Sequence, residues 1–248
     1  MFVPLWDLNP LEKVRFQFVT FGLIAINCIV YFALQVGLLY PVDDTVQVGL
    51  ALVPHEFVAN FLHQQVGNAP VGIAVPERLT LLTHMFLHGN FMHLFGNMIF
   101  LWVFGDNVED AMGHIRFLFF YLLCGIFAGL AHILMSPASD VPMIGASGAV
   151  SGVIAAYLML HPNVRVWCLW FFKIPLRVSA GFALLVWILL QVLNIVFGGD
   201  SSTAWWAHVG GLIAGAVLVL FMRRPGIALF DRGTGLEQRA EARARQEA

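Results

Sequence analysis

The sequence predicts an all-α polytopic membrane protein, a bundle of six spanning helices, and three observations carry that expectation. Apolar residues make up 59% of the 248-residue chain and charged residues only 11%, against about 25% charged in an ordinary soluble domain. So little polar surface cannot coat a water-soluble globule. Second, six long apolar runs alternate with polar or Gly/Pro-rich breaks. Third, nearly all the cations fall on one side of the alternation those runs define. A net charge of −2 with no basic stripe excludes a nucleic-acid partner from the expectations.

Taken in order, the spans fall at 16–40, 90–105, 116–135, 146–160, 178–197 and 204–222. No removable leader is expected, because Asp7 and Glu12 precede the first run. The segment 41–78 carries prolines at 41, 54, 70 and 76 and is too polar to span. Within it, "PHEFVANFLHQQ" reads as an amphipathic helix lying at the interface. With the N-terminus inside, Lys13, Arg15, Arg116, Arg165, Lys173, Arg177, Arg223, Arg224 and the four arginines of the tail are all inside. Of 13 basic residues, Arg78 alone is outside, so both termini are expected in the cytoplasm. The membrane domain is drawn as 1–222. Residues 223–248, ending "LEQRAEARARQEA", form a polar cytoplasmic tail.

Three cysteines, Cys28, Cys124 and Cys168, show no CxxC spacing, so neither a disulfide framework nor a zinc site is expected. Asp106 and Glu109, after the second span, read as a solvated inner loop with Arg116 as a weak partner. Gln191 and Asn194 in the fifth span read as interhelical hydrogen-bonding groups.

Polar side chains inside spans are costly and therefore informative. They collect at the starts of the second, fourth and sixth spans, which all run from outside to inside. Asn90 is a helix cap in "HGNFMHLFGN", and His93 and Asn97, four apart, share a face. Ser147 opens the fourth span in "GASGAVSG". That span is short: Gly145 to Leu160 covers about 24 Å against a hydrocarbon core of about 30 Å. Ser147 therefore starts below the outer surface. His208 lies within a turn of the start of the sixth span. Gly148 and Gly152, and Gly211 and Gly215, form GxxxG pairs that let the fourth and sixth helices approach within one chain. Close packing would bring the His208 imidazole within reach of the Ser147 hydroxyl.

Such a pair supports nucleophilic catalysis. Ser147 attacks, and His208 takes its proton and returns it to a leaving amine. No carboxylate sits at matching depth, Asp200 being too high, so a dyad is expected rather than a triad. The Ser147 backbone N–H, with donors from His93 and Asn97, would form the oxyanion hole. A metal centre built from His84, His88, His93 and His208 is not expected, since HExxH and carboxylate partners are lacking.

The segments "HGNFMHLFGNMIFLWVFGDNVED", "GASGAVSG" and "AHVGGLIAG", in that order, resemble the motifs of rhomboid intramembrane serine proteases. The resemblance covers roughly residues 16–222. It implies a rhomboid-like six-helix bundle with Ser147 as nucleophile and His208 as general base. It also implies an oxyanion hole of His93, Asn97 and the Ser147 amide, with His88 structural. No cofactor or metal is implied. The partners implied are transmembrane protein substrates, cut in or beside their membrane segments, within membrane lipid. With no organelle-targeting segment evident, a bacterial plasma membrane is expected. Oligomeric state is left open. Trp187 and Phe197 become candidates for a substrate gate. Two positions depart from the family: Glu77-Arg78 stands where Trp-Arg is frequent, and Ser151 stands where some members stack a tyrosine on the catalytic histidine. The competing reading is a catalytically silent rhomboid-like protein that binds transmembrane clients; retention of both Ser147 and His208 argues against it. A solute transporter lacks the paired interrupted helices it would need.

Overall fold

The computed structural model describes residues 2–37, 49–62, 75–170, 173–197 and 204–231. Each of the six apolar runs forms a helix. Helix α1 (Phe18–Val30) ends in a π-helical turn, Tyr31–Gln35. Two short helices follow, α2 (Pro54–Phe61) and α3 (Glu77–Thr83), the second running into a 3₁₀ turn at His84–Phe86. Then come α4 (Phe91–Met112), α5 (His114–Met135), α6 (Ser147–Leu160), α7 (Ala180–Val196) and α8 (Trp205–Met222). Residues 18–35, α5 and α8 are long and apolar enough to cross a membrane, and α6 and most of α7 are shorter apolar helices. The proline-rich stretch "PHEFVANF" is helical as expected, with Pro54 at its first turn, where its missing N–H costs nothing. Its "HQQ" continuation from 63 runs beyond the described residues, as do Pro41, Pro70, Asp200 and the tail from 232.

The bundle is not purely helical. Strands β1 (Phe2–Asp7), β2 (Arg165–Trp170) and β3 (Ile174–Ser179) form an antiparallel sheet in the order β1-β2-β3. Cys168 pairs with Leu176 and Val166 with Val178, while Trp6 lies opposite Trp167 past a register shift in β1. Both later strands fall between the fourth and fifth predicted spans, and Val166, Trp167 and Trp170 of β2 with Ile174 and Val178 of β3 are residue types that favour extended backbone.

Helix α6 is the hub. Eleven of its fourteen residues are buried, and it packs against α4, α5 and α8. Glycines set the spacing. A Cβ at Gly211 would collide with the carbonyl oxygen of Gly148, and one at Gly215 with that of Gly152. On the other side of α6, a Cβ at Gly152 would strike the Cys124 sulfur, and at Gly210 of α8 the Ala131 side chain. The GxxxG pairs thus serve packing within the chain, and all three cysteines are free thiols.

The end of α4 overturns one expectation. The helix runs seven residues beyond the predicted 105, and Glu109 is fully buried rather than solvated. Its carboxylate accepts from the Val19 and Thr20 N–H groups and the Thr20 hydroxyl, and it meets the His114 ring. Asp110 accepts from the N–H groups of Glu12, Lys13 and Val14. Helix α1 has no capping side chain of its own, and its first orphan N–H groups are satisfied from α4 instead. Backbone N–H groups, with the Thr20 hydroxyl and the His114 ring at Glu109, rather than Arg116, are the partners of Glu109 and Asp110.

Candidate active site

Helix α6 begins at Ser147, and the chain is bent into it by Gly145 at φ +123°, a conformation L side chains rarely adopt. The Gly145 N–H donates to the His84 carbonyl at 2.9 Å. Just before it, Met143 forms an antiparallel bridge to Leu52, with N–H donors running both ways. The loop into α6 is therefore held by the residues just before α2 and by the turn that follows α3. At 1.5 Å per residue the 14 residues of α6 span about 21 Å, too few for a hydrocarbon core of about 30 Å.

The structure brings the predicted pair together: His208 Nε2 lies 2.9 Å from Ser147 Oγ. His208 is buried and Ser147 half-buried, so the hydroxyl is reachable while the imidazole is shielded. The His208 ring sits between two indoles. Trp187 of α7 lies at a centroid distance of 6.0 Å, and Trp205, one turn earlier on α8, stands edge-on at 5.7 Å and 89°. Ser151, at the position where an aromatic was looked for, is fully buried and donates to the Ser147 carbonyl at 2.7 Å. Its small side chain lies beside Gly211, so an aromatic there would block the α6–α8 approach. Two tryptophans from other elements supply the ring packing instead. Trp187 was singled out from sequence as a gate. Trp205 was missed, although its spacing of three from His208 puts both on one helix face.

His93 and Ser147 flank one small space. A Cβ added to Gly145 would lie 2.7 Å from His93 Nε2 and 3.7 Å from Ser147 Oγ. Asn90 caps α4 by accepting from the His93 N–H. The His93 Nδ1 accepts from the Gly89 N–H at 3.4 Å, which places the proton of a neutral ring on Nε2, as a donor toward that space. Asn97 is buried one turn along, and its amide donates to the His93 carbonyl at 3.1 Å; a second N–H of that amide remains. His88 packs edge-on to His93 at 5.2 Å, and its backbone is gripped at both ends by the Gln35 amide. Phe197 is 79% exposed. The Asn194 amide donates to the Leu190 carbonyl of its own helix, and no bond from it to another helix is seen among the described residues. The Gln191 side chain is outside the described residues.

Among the described residues no group of three or more His, Cys, Asp or Glu is placed to hold a metal ion.

The family model described as the rhomboid domain matches residues 76–225. The chain belongs to the rhomboid family. This rhomboid chain is 34% identical over 149 residues to RHOMBOID-like protein 5 of Arabidopsis thaliana, covering 59% of this chain and 45% of that protein. It is 34% identical over 161 residues to Rhomboid protease GluP of Bacillus subtilis (strain 168), covering 64% and 29%. With Rhomboid-like protease 3 of Toxoplasma gondii it shares 30% identity over 145 residues, 58% of this chain and 51% of that one. The rhomboid chain thus spans about half the length of these relatives, or less. Its apolar helices and rhomboid domain make it an integral membrane protein.

Proposed function

We propose that this rhomboid is an intramembrane serine endopeptidase acting through a Ser147–His208 dyad. The observation that carries the reading is the 2.9 Å hydrogen bond between groups 61 residues apart. Ser147 Oγ attacks the scissile carbonyl as His208 Nε2 takes its proton, and the imidazolium then delivers that proton to the leaving amine. The resulting acyl-enzyme is released by water, activated by the same ring. The developing oxyanion lies over the start of α6, where the Ser147 N–H and the helix dipole favour negative charge. His93 Nε2 and the Asn97 amide are the side-chain donors. The indoles of Trp187 and Trp205 hold the imidazole in register in place of a carboxylate.

The substrates are transmembrane proteins, cut in or next to their membrane segments. The chain crosses the membrane six times within residues 1–222, and residues 223–248 are a tail on the side of the N-terminus. The excess of basic side chains on one side of the spans supports both ends in the cytoplasm, and the membrane of this reading is a bacterial plasma membrane. The half-buried hydroxyl near the outer ends of α4, α6 and α8 fits a bond presented from within the bilayer.

A fluorophosphonate probe applied to the detergent-solubilised chain tests the reading. Labelling at Ser147 is expected, and it should vanish in Ser147→Ala and His208→Ala together with cleavage of a transmembrane substrate. EDTA should leave both intact. Normal cleavage by Ser147→Ala would reject the dyad, and a folded chain with no labelling would favour a silent, client-binding role.

A further inference from the structure

The sheet at the far end of α6 carries an apolar face that outruns the bundle. Val166 and Cys168 of β2 are buried in the core. Their register partners Val178 and Leu176 occupy the same face of β3, with Ile174 next in the alternation. Val178 still packs on the core. Leu176 is 40% and Ile174 54% exposed. The face is continuous, and among the described residues the protein beneath it ends partway along β3. β3 is also an edge strand, with backbone groups that an unprotected edge would offer to other chains. The charge around this strand has one sign. Arg165, Lys173 and Arg177 are exposed. The one acid of the three strands, Asp7, is instead engaged by the Tyr157 hydroxyl and the Asn107 amide of the bundle.

The geometry points to the membrane leaflet opposite the Ser147 end as the occupant of this face, with β3 resting on anionic phospholipid. Ile174 and Leu176 turn toward the acyl chains. Lys173 and Arg177 are next to them in the chain and long enough to reach back to phosphate groups. The strand's open backbone groups then lie among headgroups and water, which satisfy them without a partner strand. A soluble protein partner would leave unexplained why the apolar face extends sideways from helices that are themselves in the bilayer. A second copy of the chain would set these like charges against each other. The sheet is thus a lateral foot that fixes the depth and tilt of the hub helix.

Environment-sensitive labels on single cysteines at Ile174, Pro175 and Leu176 of the full chain test this, with Cys28→Ser removing the least buried native thiol. The chain is reconstituted in phosphatidylcholine vesicles with or without phosphatidylglycerol, using lipids bearing a nitroxide quencher near the headgroup. Labels at 174 and 176 should be blue-shifted and quenched, and the label at 175, on the opposite face, much less. Phosphatidylglycerol should deepen the effect, and Lys173→Glu with Arg177→Glu should remove that increment, each basic residue contributing roughly fivefold to the affinity for an anionic surface. Equal quenching at all three positions, or none, would overturn the proposal. So would protection in detergent that rises with protein concentration, which would assign the face to a second copy.

Discussion

Gly211 and Gly148 meet backbone to backbone: the space a Cβ at Gly211 would need is filled by the Gly148 carbonyl oxygen. Carbonyls in a helix cannot swing aside as the end of a flexible side chain can. Gly211→Ala therefore forces α8 away from α6, and with it His208 from Ser147. Overpacking of this kind costs about 1–3 kcal/mol. Separating a base from its nucleophile by about 1 Å costs about 10²-fold in rate. Thermal unfolding and probe labelling should both fall, whereas Gly96→Ala, with nothing within 4 Å, should change neither.

Trp187 and Trp205 position the His208 ring without touching the reacting atoms. Aromatic pairs contribute about 0.5–1.5 kcal/mol beyond simple burial. Trp187→Ala should accordingly slow turnover about tenfold, with Trp187→Phe recovering most of it. The slowed step should be acylation at saturating substrate; a change confined to KM would place Trp187 in substrate binding instead.

His93→Ala removes the side-chain donor beside Ser147. Loss of one oxyanion donor lowers turnover by about 10²–10³. Probe labelling should slow in parallel, and the melting temperature should hold. Asn97→Ala should lower both activity and stability, because its amide also ties down the first turns of α4.

Glu109→Ala strands the buried N–H groups of Val19 and Thr20 at the start of α1. Unsatisfied buried donors cost about 1–3 kcal/mol each. A loss of several kcal/mol is expected in detergent unfolding, far beyond that of an exposed Arg116→Ala. Glu109→Gln keeps the acceptor oxygen and should recover part of it.

Asp7, outside the membrane, titrates in an unusual direction. Burial raises its carboxyl from 3.8 to about 6, against the lowering effect of the Tyr157 hydrogen bond. Between those values the folded chain holds a proton the unfolded chain has released. This group's contribution to stability therefore falls as pH rises from about 4 to 6 and stays low above that. Asp7→Asn should flatten that part of the profile when unfolding is followed against pH alongside the parent.

The helices were legible because six apolar runs must each bury or lipid-face a continuous stripe, and that pattern is local. Ser147, His208, His93 and Asn97 stood out because polar groups within such runs need a reason to be there. What escaped was set by distant chain. Strand β1 contains a proline and pairs with residues about 160 positions away, so nothing local marks it. Glu109 and Asp110 look like an ordinary helix end, because the N–H groups they capture leave no trace in residue types. Asn194 was assigned to a neighbouring helix on polarity alone, and its own Leu190 carbonyl was nearer. Trp205 was read as part of an apolar run, although its edge-on contact with His208 follows from a spacing of three on one helix.

The π-helical turn at Tyr31–Gln35, closed by the Val36 N–H on the Tyr31 carbonyl at 2.9 Å, is in effect one residue spliced into a regular helix. Removing a single residue there, Phe32 for instance, would let ordinary winding resume and swing Gln35 through about 100°. Its amide would then let go of the His88 main chain, three residues before α4 leads off with Phe91, His93 and the rest of that wall. A length change of one residue, remote from any reacting group and conservative in chemistry, would thereby unfasten the rear support of the pocket.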